Sequence, residues 1–213
     1  MSTTPAPRLL SAGADAVLVE LADADQRRRL HRVLLEEPPA GLVELVPAAR
    51  TVLLSAAGPE QLQGIVDHVN ALVRAGLPAT TQTASEPTTI AVRYDGEDLA
   101  QVAEVVGVSV REVVARHTGQ LWTVEFAGFM PGFGYLSGEH GGLTVPRLSS
   151  PRTRIPAGSV ALADEFTGIY PQASPGGWQL IGSTDAPLWD PERTPPALLA
   201  PGARIRFVEE GMR

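Results

Sequence analysis

The sequence predicts an α+β protein in two parts, an α/β domain over residues 1–84 and a β-barrel domain over residues 85–213. Three observations carry this. All eleven aromatic residues lie at or beyond Tyr94. Only five of the 21 glycines precede Ser85, and that first stretch alternates short apolar runs with helical periodicity. Residues 125–190 are the opposite: Gly128, Gly132, Gly134, Gly138, Gly141 and Gly142 fall within fifteen residues, and Pro131, Pro146, Pro151, Pro156, Pro171 and Pro175 leave no room for a helix. Short strands and tight turns remain, with the aromatics as the bulk of a small β core and as stiff pocket walls.

In the first part, Ala16 to Leu21 (AVLVEL) reads as a strand. A helix follows from about Asp23 to Glu36, with Asp23 or Asp25 as cap and Leu30, Val33 and Leu34 as its apolar face. Pro38, Pro39 and Gly41 end it. Leu42 to Val46 and Thr51 to Leu54 are strands joined by a turn at Pro47. Pro59 opens a second helix, on which Leu62, Ile65, Val66, Val69 and Leu72 recur at helical spacing. The order strand, helix, strand, strand, helix is a split β-α-β motif of ferredoxin-like type, complete if a final strand follows. Residues 79–87 (ATTQTASEP) read as a polar connector, and Thr88 to Tyr94 as a strand open to either domain.

Two helices precede the barrel, Asp98 to Val106 and Ser109 to His117, with a turn at Gly107 and Ser109 as cap of the second. Their A-x-x-x-G-V-S spacing is that of a helix-turn-helix DNA reader. The chemistry argues against DNA: the second helix offers Arg111 and Arg116 against Glu112, has no Asn, Gln or Lys for base edges, and the pI of about 5.1 repels phosphate.

At 213 residues and a net charge of −7, the chain can bury a proper core. The polar start MSTTPAPR lacks an apolar signal core, and no stretch approaches the roughly 20 apolar residues of a membrane helix, so a cytoplasmic location is expected. The absence of Cys excludes disulfides, thiolate metal sites and a Cys nucleophile. All 17 basic residues are Arg, which excludes a Walker A lysine, a Schiff base and a biotin-carrying lysine. If the protein takes part in ATP- or biotin-linked work, another polypeptide supplies those parts.

Gly141 to Ala163 contains Arg147, Arg152 and Arg154 and no acid. Beside backbone exposed by glycine, these form a clamp for a carboxylate or oxyanion; alternatively they lie over the barrel and pair with acids from elsewhere in the fold. His31, His68, His117 and His140 have no metal-ligand spacing, so no metal site is expected. His117 differs from the others, because it ends a helix just before the strand Leu121 to Phe126 that feeds the glycine-rich loop; a proton-transfer role and a plain helix-terminal histidine both fit. Ser159 and Ser174 lie on turns without a nucleophile elbow and read as hydrogen-bonders. In SPGGW, the Gly176-Gly177 pair admits close backbone approach to a ligand, Trp178 offers a face and Gln179 an amide. That turn and the GFMPGFGYL loop are expected on one wall of a single pocket, with His117 at its edge.

The blocks GFMPGFGYL, SPRTRIPAGSVALA and TGIYPQASPGGWQLIGSTDAPLWDP resemble the family of the 5-oxoprolinase B subunit, which includes allophanate hydrolase subunit 1 and Kip-type inhibitors of a sporulation histidine kinase. The tail PPALLAPGARIRFV is similar to the family's closing strand, so the resemblance covers most of the chain. Two positions depart from the pattern, Gly134 in place of a second Pro and Ser183 in place of an Arg. The resemblance implies a ferredoxin-like domain followed by a cyclophilin-like β-barrel. It implies ATP-dependent opening of 5-oxo-L-proline to L-glutamate with two partners, a C-type subunit that is carboxyltransferase-like and an A-type hydrolase. Which chain binds ATP stays open. An allophanate hydrolase or urea-carboxylase-like subunit, and a non-enzymatic kinase inhibitor, are the alternatives. The expected site comprises His117, Arg152 and Arg154 as catalytic residues. Phe129, Pro131, Gly132, Tyr135, Arg147, Ser159, Tyr170, Ser174, Gly176, Gly177, Trp178 and Gln179 are expected to bind substrate.

Overall fold

The computed structural model describes residues 7–79 and 86–211. Residues 80–85 of the expected connector, with the 84/85 boundary, and the first six residues lie outside the described set. Two compact units form, Met1–Thr83 and Ala84–Arg213.

In the first unit, β1 (Arg8–Ser11), β2 (Ala16–Glu20), β3 (Leu42–Pro47) and β4 (Thr51–Ala56) build an antiparallel sheet in the order β1-β2-β4-β3. Helix α1 (Ala24–Glu36) joins β2 to β3, and α2 (Pro59–Ala75) follows β4. The Asp23 carboxylate accepts the Gln26 N–H at 2.8 Å and so starts α1. Leu30 and Leu34 of α1 and Ile65 and Val69 of α2 are buried in one cluster with Val17, Val19, Val52 and Leu54 of the sheet, each full burial worth roughly 1.5–3 kcal/mol. Because β4 lies between β2 and β3, the crossover β2-α1-β3 is split. The final strand expected after α2 does not occur among the described residues of this unit. Its edge beside β2 is taken by β1, a four-residue segment too short and too exposed for alternation to reveal it in the sequence.

The second unit contains β5 (Thr88–Val92), α3 (Leu99–Val106), α4 (Val110–Thr118), β6 (Trp122–Ala127), β7 (Gly134–Gly138), β8 (Arg152–Ile155), β9 (Ser159–Ala163), β10 (Phe166–Ile169), β11 (Ser174–Gly176), β12 (Gln179–Ser183) and β13 (Arg204–Glu209). Seven strands form one sheet in the order β12-β9-β10-β7-β6-β13-β5, while β8 and β11 pair separately. The sheet is nearly closed, because Arg93 and Ser183 exchange two backbone hydrogen bonds of 2.8 Å that join the end of β5 to the end of β12. Gly182 permits this seam: a Cβ there would stand 2.3 Å from the Arg93 carbonyl oxygen. At the departing position Ser183, the hydroxyl donates to Asp95 at 2.9 Å.

Alternation along the strands sorts the side chains. Ile90, Val92, Trp122, Val124, Leu136, Val160, Leu162, Ile169, Ile181, Ile205 and Phe207 form one buried cluster inside the barrel. The helices add Leu99, Val102 and Val113 to it, α3 packing against β12 and α4 against β13. The Ser109 hydroxyl accepts the Glu112 N–H at 3.1 Å, which caps α4 as its sequence predicts. Strand β5 pairs in parallel with β13, which assigns residues 88–92 to the barrel. No helix among the described residues is long and apolar enough to cross a membrane.

Candidate functional site

The outer face of the sheet carries Phe126 on β6, Tyr135 on β7 and Phe166 and Gly168 on β10, opposite in phase to the interior residues. Gly168 is the floor. A Cβ there would lie 2.9 Å from Phe133 Cζ and 3.0 Å from Trp178 Cζ3, so both rings rest on bare backbone. Tyr135 meets Phe133 at 5.2 Å and Trp178 at 5.4 Å between ring centroids, and stacks on Phe126 at 4.4 Å. Tyr170 packs edge-on against Phe133 at 5.3 Å. The GFMPGFGYL loop and the SPGGW turn thus meet on one surface. Phe133 and Tyr170 are 1% exposed and Trp178 4%, so these rings fill the space between them instead of walling an empty pocket.

Phe129 stands at the edge of this cluster, 57% exposed and with φ of 67°, in the left-handed region that non-glycine residues avoid. Pro131 beside it is exposed. Gly132 turns the loop at φ 84°, where a Cβ would press on Trp189 and Pro171 at 3.2 and 3.3 Å.

Charge enters from the loop between β7 and β8. Burial raises the pKa of the Tyr135 hydroxyl, and the Arg147 charge opposes that rise. Burial also raises that of Tyr170, against the pull of the Trp178 backbone and of Arg147 and Arg152. Arg147 itself is exposed and stands 3.8 Å from Asp164. Arg154 is exposed and makes no ion pair among the described residues.

Arg152 is not free to clamp a substrate alone. Its guanidinium donates to Glu97 at 2.7 Å and to the buried Asp98 at 2.8 Å, while its Nη1 is buried without a partner among the described residues. The other Asp98 oxygen accepts the Leu180 N–H at 2.7 Å. The acid-free stretch of sequence is therefore answered by acids from the β5–α3 segment, which for Arg152 favours the reading of pairing elsewhere in the fold.

His117 corrects the expectation that it edges a pocket. It is wholly buried inside the barrel, its ring stacked on Phe207 at 4.4 Å. Nδ1 lies 2.7 Å from the Tyr94 hydroxyl and Nε2 lies 3.0 Å from Thr167 Oγ1. Because Thr167 donates its proton to the Ala161 carbonyl, Nε2 carries the ring proton and Nδ1 accepts from Tyr94. Burial lowers the His117 pKa to about 3, so the ring is neutral and both nitrogens are occupied.

Ser159 donates to the Pro156 carbonyl at 2.9 Å and closes a turn. Gly176 faces Arg152 across the β8–β11 ladder, and a Cβ there would strike the Tyr170 hydroxyl at 2.4 Å. Gly177 is less confined, its nearest neighbour Pro151 Cβ at 3.6 Å. Gln179 donates to the Pro146 carbonyl at 2.7 Å, while its Oε1 and the Ser174 hydroxyl are buried without partners among the described residues. Gly134, the other departing position, lets Leu199 and Val124 close over the strand, with a Cβ there only 2.9 Å from Leu199 Cβ.

Sequence reasoning missed Asp98, which lies 54 residues from its arginine, and Glu125, which is 5% exposed. Glu125 occupies the bulge between Val124 and Phe126 and accepts a hydrogen bond from Ser137. In the sequence it interrupts an apolar run, and that interruption is the signal that could have found it. Among the described residues no cluster of three or more His, Asp or Glu is placed to hold a metal.

Residues 7–199 match the profile of the carboxyltransferase domain, subdomain C and D. The chain belongs to this family. A relative named as the B subunit of 5-oxoprolinase, from Escherichia coli O157:H7, is 39% identical over 211 residues, covering 93% of this chain and 94% of its own. The crystal structure of TTHA0988 superposes with a TM-score of 0.72 at 38% identity over 92% of this chain, which spans only 39% of that longer polypeptide. The Kluyveromyces lactis urea amidolyase shares the fold, with a TM-score of 0.77 at 17% identity over 98% of this chain and 15% of its own. Within this carboxyltransferase-domain chain, the aromatic floor and its arginine rim draw on the same three sequence blocks that carry the resemblance.

Proposed function

We propose that this chain is one component of a multi-chain, ATP-dependent amidohydrolase that opens 5-oxo-L-proline to L-glutamate. The observation that carries the reading is the 39% identity, nearly end to end, with a relative named as the B subunit of 5-oxoprolinase. We read the second unit as a cyclophilin-like barrel with the substrate on its outer face. Phe129 and the half-buried Tyr135 supply the apolar ring surface on which a five-membered lactam packs, with the buried Trp178 supporting Tyr135 from behind. Arg147 and Arg154 supply charge for its carboxylate, while Arg152, tied to Asp98, holds the SPGGW turn in place. Subunits of types C and A are the partners this reading requires.

This reading leaves the nucleotide to a partner, because Arg152 is already balanced by Glu97 and Asp98 and the sequence contains no lysine for a phosphate loop. The test is reconstitution. Turnover of 5-oxoproline is expected only when the purified chain is combined with C-type and A-type subunits and ATP. Turnover by the single chain would overturn the multi-chain reading, and turnover of allophanate in place of 5-oxoproline by the assembled complex would overturn the substrate.

A further inference from the structure

On the α3–α4 side of the second unit, away from the aromatic floor, lies a cavity of about 460 Å³. That is within the range of small-molecule sites. Tyr94, Leu99, Val110 and Val114 give it an apolar lining, and Arg111 and Glu209 line it as well. The Tyr94 wall is fixed, because its hydroxyl is spent on His117 at 2.7 Å. Val110 remains 42% exposed and so is accessible from solvent.

The two charges are the telling feature. Arg111 and Glu209 belong to different elements, α4 and β13, and neither takes part in an ion pair among the described residues, although most of the chain's other arginines do. The carboxylate of Glu209 is close enough to Tyr94 to help raise that hydroxyl's pKa. One cation and one anion, unjoined and bordering the same apolar space, complement a molecule that carries both charges at one end and hydrocarbon at the other.

We propose that this cavity is a binding site for a free α-amino acid with an aliphatic side chain, its carboxylate on Arg111, its ammonium on Glu209 and its side chain among Leu99, Val110 and Val114. The site is separate from the aromatic floor and stands or falls independently of the reaction proposed for the complex. It is tested on the isolated chain by calorimetric titration with L-leucine, N-acetyl-L-leucine and L-leucinamide. L-Leucine is expected to bind, with affinity reduced at least tenfold when either charge is masked. Arg111→Gln should abolish the preference for L-leucine over the amide, and Glu209→Gln the preference over the N-acetyl compound, with circular dichroism unchanged in both. Absence of L-leucine binding at millimolar concentration, equal affinity for all three compounds, or unaltered preferences in both folded variants would overturn the proposal.

Discussion

Arg152 and Asp98 form a tie across 54 residues of sequence: the guanidinium donates to one carboxylate oxygen at 2.8 Å, and the other oxygen accepts the Leu180 amide at 2.7 Å. Asp98 is 5% exposed, so these donors take the place of water at its oxygens. Arg152→Ala would leave a buried carboxylate short of its main partner. A stability loss of about 1–3 kcal/mol is expected in urea unfolding, partly restored in Arg152→Lys. A variant with unchanged stability and impaired kcat/KM in the complex would return Arg152 to the clamp.

His117 sets a pH dependence. Its folded pKa of about 3 lies below the unfolded value of 6.5, so between those values the unfolded chain holds a proton that the folded chain does not. The stability it contributes is intact above about pH 6.5 and falls by about 1.4 kcal/mol per pH unit on acidification towards pH 3. The lowered pKa of His31, from burial first and Arg27 second, acts in the same sense in the first unit. Urea unfolding at pH 7.5 and 5.5 should show a shallower decline for His117→Gln than for wild type; parallel declines would refute the neutral buried imidazole.

Gly168 and Gly177 should behave oppositely. A methyl at Gly168 has no room between Phe133 and Trp178, and overpacking of this kind costs about 1–3 kcal/mol. A methyl at Gly177 meets Pro151 at ordinary contact distance. Denaturation midpoints are therefore expected to drop for Gly168→Ala and to hold for Gly177→Ala.

Phe129 separates stability from function. Its left-handed backbone costs about 1–2 kcal/mol, a strain Phe129→Gly relieves while removing an exposed ring. Stability should stay within about 1 kcal/mol of wild type, because the relief is offset by a freer unfolded chain. Activity of the reconstituted complex should fall at least tenfold. Wild-type turnover by this variant would remove Phe129 from the site.

The sequence by itself determined the elements whose causes are local. Asp23, Ser109, Pro59 and Gly107 bound helices because capping and backbone restriction act within a few residues, and the Gly- and Pro-rich run forbids helices for the same reason. It also brought the GFMPGFGYL and SPGGW aromatics forward as one group, since their composition is odd wherever they fold. What depends on pairing distant strands was decided only by the tertiary structure. Edge strand β1, the seam between Arg93 and Ser183, the Asp98 partner of Arg152 and the bulge that buries Glu125 all follow from register between segments far apart in the chain. His117 shows the difference most directly. A histidine at a helix end next to a glycine-rich loop has the same sequence whether it meets solvent or, as here, points into a nearly closed sheet where desolvation holds it neutral.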